Sequence, residues 1–180
     1  NAIGELARAN LQRARTLGRS DLKVVAVTGS VGKTTTKDLL SALLAGRGPI
    51  IAPPGSFNNE LGLPLTVLRT NEETATLVLE MGADHIGNIE YLTRIAPPDA
   101  CAVLIVARAH LGEFGGIENV ALAKSELVTG TRLGGPVILN ADDPRVIEMR
   151  KLAKGPVTTF SASGHGDVAA QSVRVDSAGR

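Results

Sequence analysis

The chain has 180 residues, 43% apolar and 21% charged, with a formal net charge of +1, the profile of one soluble domain with a real core. Near-neutral charge without a basic block, and an aromatic share of 2%, argue against a nucleic-acid surface. No apolar run is long enough to span a membrane and no signal-peptide pattern opens the chain. A single cysteine, Cys101, sits in an apolar run, so the expected compartment is a reducing one, the cytoplasm.

Residues 1–17 place Ile3, Leu6, Ala7, Leu11, Ala14 and Leu17 at helical spacing, with Gly18 as a C-terminal cap. This helix is expected to precede a domain that begins at about residue 21. Lys23 to Val27 is rich in β-branched valine and predicts a buried parallel strand. It runs into Thr28-Gly29-Ser30-Val31-Gly32-Lys33-Thr34-Thr35-Thr36, and a helix carries on through Leu39, Leu40, Leu43 and Leu44. Short strand 49–52, loop 53–60 and helix 61–68 follow, with Pro64 tolerable only near the helix start. Strand 75–79 ends at Glu80-Met81-Gly82; helix 86–95 is broken at Ala96-Pro97-Pro98-Asp99. Strand 100–106 leads to Ala107-Arg108-Ala109-His110, then helix 117–128 and strand 136–139, which ends at Asn140-Ala141-Asp142-Asp143-Pro144. Helix 145–153, strand 157–160 and an edge strand within 167–175 complete the reading. Such alternation predicts an α/β fold of P-loop type, a mostly parallel sheet with helices on both faces.

The turn after the first strand is a phosphate cradle. Glycines let the backbone aim N–H groups inward, Lys33 supplies a positive charge, and the Thr34 hydroxyl suits a magnesium ion. The helix that follows turns its free N–H groups toward an anion. Gly29, Ser30, Val31, Gly32, Lys33, Thr34 and Thr35 are therefore the candidate nucleotide-binding residues. Val27 stands where the full Walker A pattern has glycine, and Thr28 stands where partition-type ATPases carry a signature lysine. A carboxylate closing a later apolar strand, Glu80, is placed to direct magnesium; the lesser alternative, read alone, is a strand-end surface glutamate.

Lys124 is out of place. At 100° per residue, Ile117, Val120, Ala121, Leu127 and Val128 make an apolar stripe with Lys124 in its middle. A lysine there is paired, chemically modified or at the margin of a polar site, unless its stem snorkels to water. His110, Asn140 and Asp142 each have a structural reading too, as turn or capping residues. All of them follow strand ends, where ligands bind in parallel sheets.

The ordered blocks 28–37, Phe57-Asn58-Asn59-Glu60-Leu61-Gly62-Leu63-Pro64, Leu79-Glu80-Met81-Gly82, Ala109-His110-Leu111-Gly112, Ala123-Lys124-Ser125-Glu126 and Leu139 to Pro144 together resemble the central ATP-binding domain of the Mur ligases. The Asn-Asn-Glu-Leu-Gly-Leu-Pro and Glu-Met-Gly forms are most similar to the branch that joins D-Ala-D-Ala to UDP-MurNAc-tripeptide, and they speak against a folylpolyglutamate-synthase-like ligase. A non-catalytic P-loop switch is the alternative of another class; it needs no His110–Lys124 pair.

The resemblance implies that ATP phosphorylates the peptide carboxylate and that an amine attacks the acyl phosphate. It implies ATP and Mg2+ as cofactors, with Lys33, His110 and Lys124 as the catalytic set. Thr34 and Glu80 would hold one magnesium, and His110 and a carbamylated Lys124 a second. Asn58 and Asn59 would lie near phosphates or substrate, and Asn140 and Asp142 against the adenosine. The family's UDP-binding and C-terminal domains are expected to be missing from these 180 residues, leaving a monomeric fragment inactive alone. Ile105, Ala107 and Arg108 depart from the family's Asn-Val-Gly before Ala-His, at the turn that presents His110.

Overall fold

The computed structural model describes residues 2–18, 21–107 and 114–172. Seven strands form one sheet: β1 (Lys23–Thr28), β2 (Ile50–Ile51), β3 (Thr76–Glu80), β4 (Ala100–Val103), β5 (Val137–Asn140), β6 (Val157–Ser161) and β7 (Val168–Ala169). Their order is β2-β3-β1-β4-β5-β6-β7 and every pairing is parallel. The helices are α1 (Ala2–Leu17), α2 (Lys33–Leu44), α3 (Gly62–Val67), α4 (Asn88–Ile95), α5 (Ile117–Gly130) and α6 (Pro144–Glu148).

Strand order assigns the helices to faces. From β2 onward each connection steps the same way along the sheet, whereas β1 to β2 steps the opposite way. Right-handed crossovers then put α2 on one face and α3 to α6 on the other. The core agrees. Val24, Ala26, Leu77, Leu79, Cys101, Val103, Val137 and Leu139 alternate onto one face and meet residues of α1, α3, α4, α5 and α6, but none of α2. The reversal beside β1 is a topological switch point, where such sheets bind ligands.

The N-terminal helix joins this core. Ala7, Leu11 and Ala14 are buried, and α1 packs on α3 and α4. Asp99 anchors its far end, accepting from Arg15 at 2.7 Å, Arg132 at 3.0 Å and the Val24 N–H at 2.8 Å. Desolvation lowers the Arg15 pKa against the raising effect of Asp99. Burial pushes the Cys101 thiol up to about 11, so it behaves as a small apolar core group.

Three expectations change. The third long strand stops at Val103 rather than Val106, because Asp143 takes the Val106 N–H at 2.7 Å and draws the chain out of the ladder. Asp143 also caps α6, accepting from Arg145 N and Val146 N. The cap is therefore Asp143, followed by Pro144 at the first helical position, and neither Asn140 nor Asp142. The helix expected over 145–153 is α6 plus a 3-10 turn, Met149–Leu152. Residues 173–175 of the expected edge strand lie outside the described residues.

Candidate active site

The glycine-rich loop leaves β1 and is pinned on both sides. Thr28 is fully buried and donates to Met81 O at 2.8 Å. Ser30 N donates to Ile105 O at 2.8 Å, and the Ser30 hydroxyl bonds both the carbonyl (3.2 Å) and the N–H (2.9 Å) of Ala107. The Ser30 side chain thus ties the loop to the turn after β4. Gly32 sits at φ 85°, the left-handed region that glycine reaches without strain, directly before α2. At Gly29 a Cβ would come within 2.9 Å of Leu104 Cβ, so the close approach of the two turns needs glycine there.

Lys33 folds back over the loop, its Nζ donating to Gly29 O at 2.8 Å. Burial lowers its pKa, and the charge of Glu80 works the other way. Glu80 pairs in register with Val27 on the adjacent strand, which brings its carboxylate to the loop. Its Oε2 accepts from Thr34 Oγ1 at 2.9 Å. Among the described residues its Oε1 is buried with no hydrogen-bond partner, and the residue is 0% exposed. A buried carboxylate oxygen left bare is costly unless a cation meets it. Among the described residues no three His, Cys, Asp or Glu side chains cluster as a metal site. The Thr34 hydroxyl and the Glu80 carboxylate are oxygen donors of the kind magnesium takes, one or two from the protein with phosphate oxygens and water completing the shell. Thr35 is exposed on α2 and Val31 at the loop tip.

The loop borders a cleft of about 470 Å³. Gly29, Ser30 and Lys33 form one wall; Asn58, Asn59 and Glu60 form a second; Asp84, His85, Phe114 and Lys124 close it. Lys124 is 4% exposed, and its pKa falls to about 8, from desolvation first and then the charge of Lys33. The lysine singled out on the apolar stripe therefore reaches a polar cleft beside the loop lysine.

The second wall is held by its own polar groups. Asn59 Oδ1 accepts from Leu61 N and Gly62 N, closing the first turn of α3. Glu60 Oε1 accepts from Asn88 Nδ2 at 2.9 Å, and Asn88 Oδ1 accepts from the N–H groups of Asp84 and His85. Glu126, two residues beyond Lys124, accepts from Gly87 N and Glu90 N, which fastens α5 to the start of α4.

Asn140 and Asp142 do not line this cleft. Asn140 Nδ2 donates to Leu104 O at 2.8 Å and its Oδ1 accepts from Asp142 N. Asp142 is held at about 2 by the hydroxyls of Ser161 and Ser163 and the N–H of Ala162. The two shape the turn after β5, next to the Leu104 that packs on Gly29. His110 lies outside the described residues, as does Arg108. Residues not anticipated from the sequence are Lys37, Asp84, His85, Asn88 and Asp143; only the Asp143-Pro144 pair carried a local signal, that of a helix start.

An all-parallel sheet with a Gly-Lys-Thr loop at its switch point and a carboxylate on the neighbouring strand defines a P-loop-type α/β domain. The chain belongs to the Mur ligase family: residues 27–180 match the Mur ligase middle domain. It is 48% identical over 178 residues, 99% of its length, to the UDP-N-acetylmuramoyl-tripeptide–D-alanyl-D-alanine ligase of Mycobacterium tuberculosis strain H37Rv. It is 37% identical over 172 residues, 96% of its length, to the Bacillus subtilis enzyme of the same name. It spans only 35% and 36% of those two relatives. Among solved structures, MurF from Acinetobacter baumannii superposes with a TM-score of 0.88 at 35% identity, over 97% of this chain and 37% of that one. MurF from Thermotoga maritima, solved with ADP, superposes at 0.80 and 36% identity, over 92% of this chain and 37% of that one.

Proposed function

We propose that this chain is the nucleotide-binding domain of a ligase that joins D-Ala-D-Ala to UDP-MurNAc-tripeptide in the cytoplasm, using ATP. The observation that carries the reading is Glu80: buried at a strand end, one oxygen on Thr34, the other bare, beside the loop lysine. The relatives' shared name supplies the substrates. The UDP-binding and amine-delivering parts would come from outside residues 21–180, with α1 leading into this domain.

In this reading Lys33 leaves Gly29 O for the β- and γ-phosphates, and the N–H groups of 29–35 surround them. Thr34 and Glu80 hold a magnesium ion, which when bound neutralises phosphate charge. The peptide carboxylate takes the γ-phosphoryl group and ADP leaves. The amine of D-Ala-D-Ala then attacks the acyl carbon, loses a proton and expels phosphate. Lys124, with its lowered pKa, has a neutral amine available to add CO2; loss of a proton leaves a carbamate, a carboxylate-like group that with His110 would hold a second magnesium. Asn58 and Asn59 face the transferred group, and the Asn140–Asp142 turn borders the adenosine.

Calorimetry of ATP binding with and without Mg2+ tests this. Wild type is expected to bind far more tightly with the metal, and Glu80→Gln to lose about tenfold or more of that gain. Equal metal dependence in the two proteins would remove Glu80 from the site.

A further inference from the structure

Lys37 plays no part in that reading, yet it is 1% exposed and is the only buried residue of α2. A lysine head leaves water at little cost only when its three donors are met. Here they are met mainly from outside the helix. Nζ donates to Pro53 O at 2.5 Å and Gly55 O at 3.3 Å, and it pairs with Asp38 Oδ1 at 2.9 Å. The Asp38 side chain is largely in solvent and the Gly55 bond is only part-buried, so the Pro53 carbonyl is the buried partner.

Both loop carbonyls open the segment that becomes the second wall of the cleft. Five residues on, Asn58 O accepts from Gly82 N at 2.9 Å, and the Asn58 side chain lies so close to Gly82 that a Cβ there would meet Asn58 Cγ at 3.0 Å. Asn59 O accepts from Leu63 N at 3.0 Å, and Glu60 reaches Asn88. Upstream, Lys37 stands one helical turn beyond Lys33 on the same short helix. One rigid element thus carries the loop lysine at its first turn and the wall's anchor at its second.

We propose that Lys37 is a positioning residue that fixes the 53–60 segment to the phosphate-loop helix, so that whatever restrains the first turn of α2 also restrains the wall of Asn58, Asn59 and Glu60. The link to nucleotide rests on the reading of Lys33 and Thr34 as phosphate ligands; the anchoring does not. A neutral side chain of similar length at 37 leaves the buried Pro53 carbonyl unmet, and a buried acceptor without a donor loosens the segment that bears it.

Hydrogen exchange read by mass spectrometry, on this chain with and without Mg-ATP, decides the matter. In wild type, Mg-ATP is expected to slow exchange at Leu61–Leu63 and Gly82. In Lys37→Met the same amides are expected to exchange about tenfold or more faster without nucleotide and to lose the nucleotide response, with β4 and β5 protected as before. Affinity for Mg-ATP stays within about threefold of wild type, because Lys33 is untouched. Lys37→Arg, which keeps the donors, recovers part of the protection. Uniformly faster exchange across the sheet, or unchanged exchange at Leu61–Leu63 and Gly82, overturns the proposal. If Lys37→Met does not fold, wild type and Lys37→Arg still decide it: bound Mg-ATP that leaves those amides unprotected in wild type is also fatal. Wild type that binds no Mg-ATP refutes the functional reading instead, and the nucleotide-free comparison then judges the anchor alone.

Discussion

Replacing Lys33 with alanine is expected to weaken Mg-ATP binding by about 100-fold or more, roughly 3 kcal/mol, while the fold stays intact. The size follows from where the lysine sits. Its amine is half-buried beside Glu80, and burial already lowers its pKa, so a phosphate group arriving there meets a poorly hydrated cation, and the attraction is stronger than at an open surface. Among the described residues the amine bonds only to Gly29 O within its own loop, and a turn that glycine already favours does not need that bond. Circular dichroism and unfolding midpoints should therefore move little. Titration calorimetry at fixed ionic strength is the check. An unchanged Kd in Lys33→Ala would mean that phosphates do not sit on this loop.

The second large effect belongs to Lys124. In CO2-free buffer at pH 7, Lys124→Met is expected to be more stable than wild type by up to about 3 kcal/mol. The Lys124 pKa is about 8 against an ordinary 10.5, so folding disfavours its protonated form, through burial first and the charge of Lys33 second. Below pH 8 that penalty is present in full. Between about pH 8 and 10.5 the unfolded chain holds more protons than the folded one, so wild-type stability rises with pH and the advantage of the methionine shrinks. Urea unfolding of both proteins at pH 7 and at pH 10 measures the difference directly. Bicarbonate should act on wild type alone, and 13C-bicarbonate should give a carbamate resonance that Lys124→Met lacks. A stability gap that does not change with pH would show that burial is not what holds the Lys124 amine near neutrality.

Much of this was legible in the sequence because the relevant signals are local. The valine run of β1, the glycines and Lys33 after it, and Glu80 at the end of an apolar strand each announce themselves within a few residues. Lys124 was legible through a broken period, a charged residue on an apolar helical stripe. What stayed hidden depends on contacts distant in sequence. Asp143 takes the N–H of Val106, 37 residues away, and so shortens a strand whose apolar run alone extends to Val106. Lys37 looks like an ordinary surface residue of an amphipathic helix. In the fold it is buried, and Leu39 and Leu43 are 60% and 78% exposed, the reverse of what the leucine spacing suggests. The reason is topological: among the described residues α2 packs chiefly on β3 and β1 rather than on another α-helix, so its leucines find little to pack on, whereas the 53–55 carbonyls capture the lysine. Asn59 and Asn140 stand out through the company they keep, but nothing local shows that their side-chain oxygens also accept from the first turn of α3 and from the turn after β5.

In the proposed site, magnesium and nucleotide phosphates meet between Thr34 and Glu80. The most direct test replaces magnesium with manganese in the presence of ATP and follows amide resonances of the isotopically labelled chain. Paramagnetic broadening is expected to centre on residues 29–34 and 80–82 and to spare the far end of the sheet around Asp99 and Arg132. Broadening centred elsewhere, or none in those two segments with ATP and manganese both bound, would contradict the account.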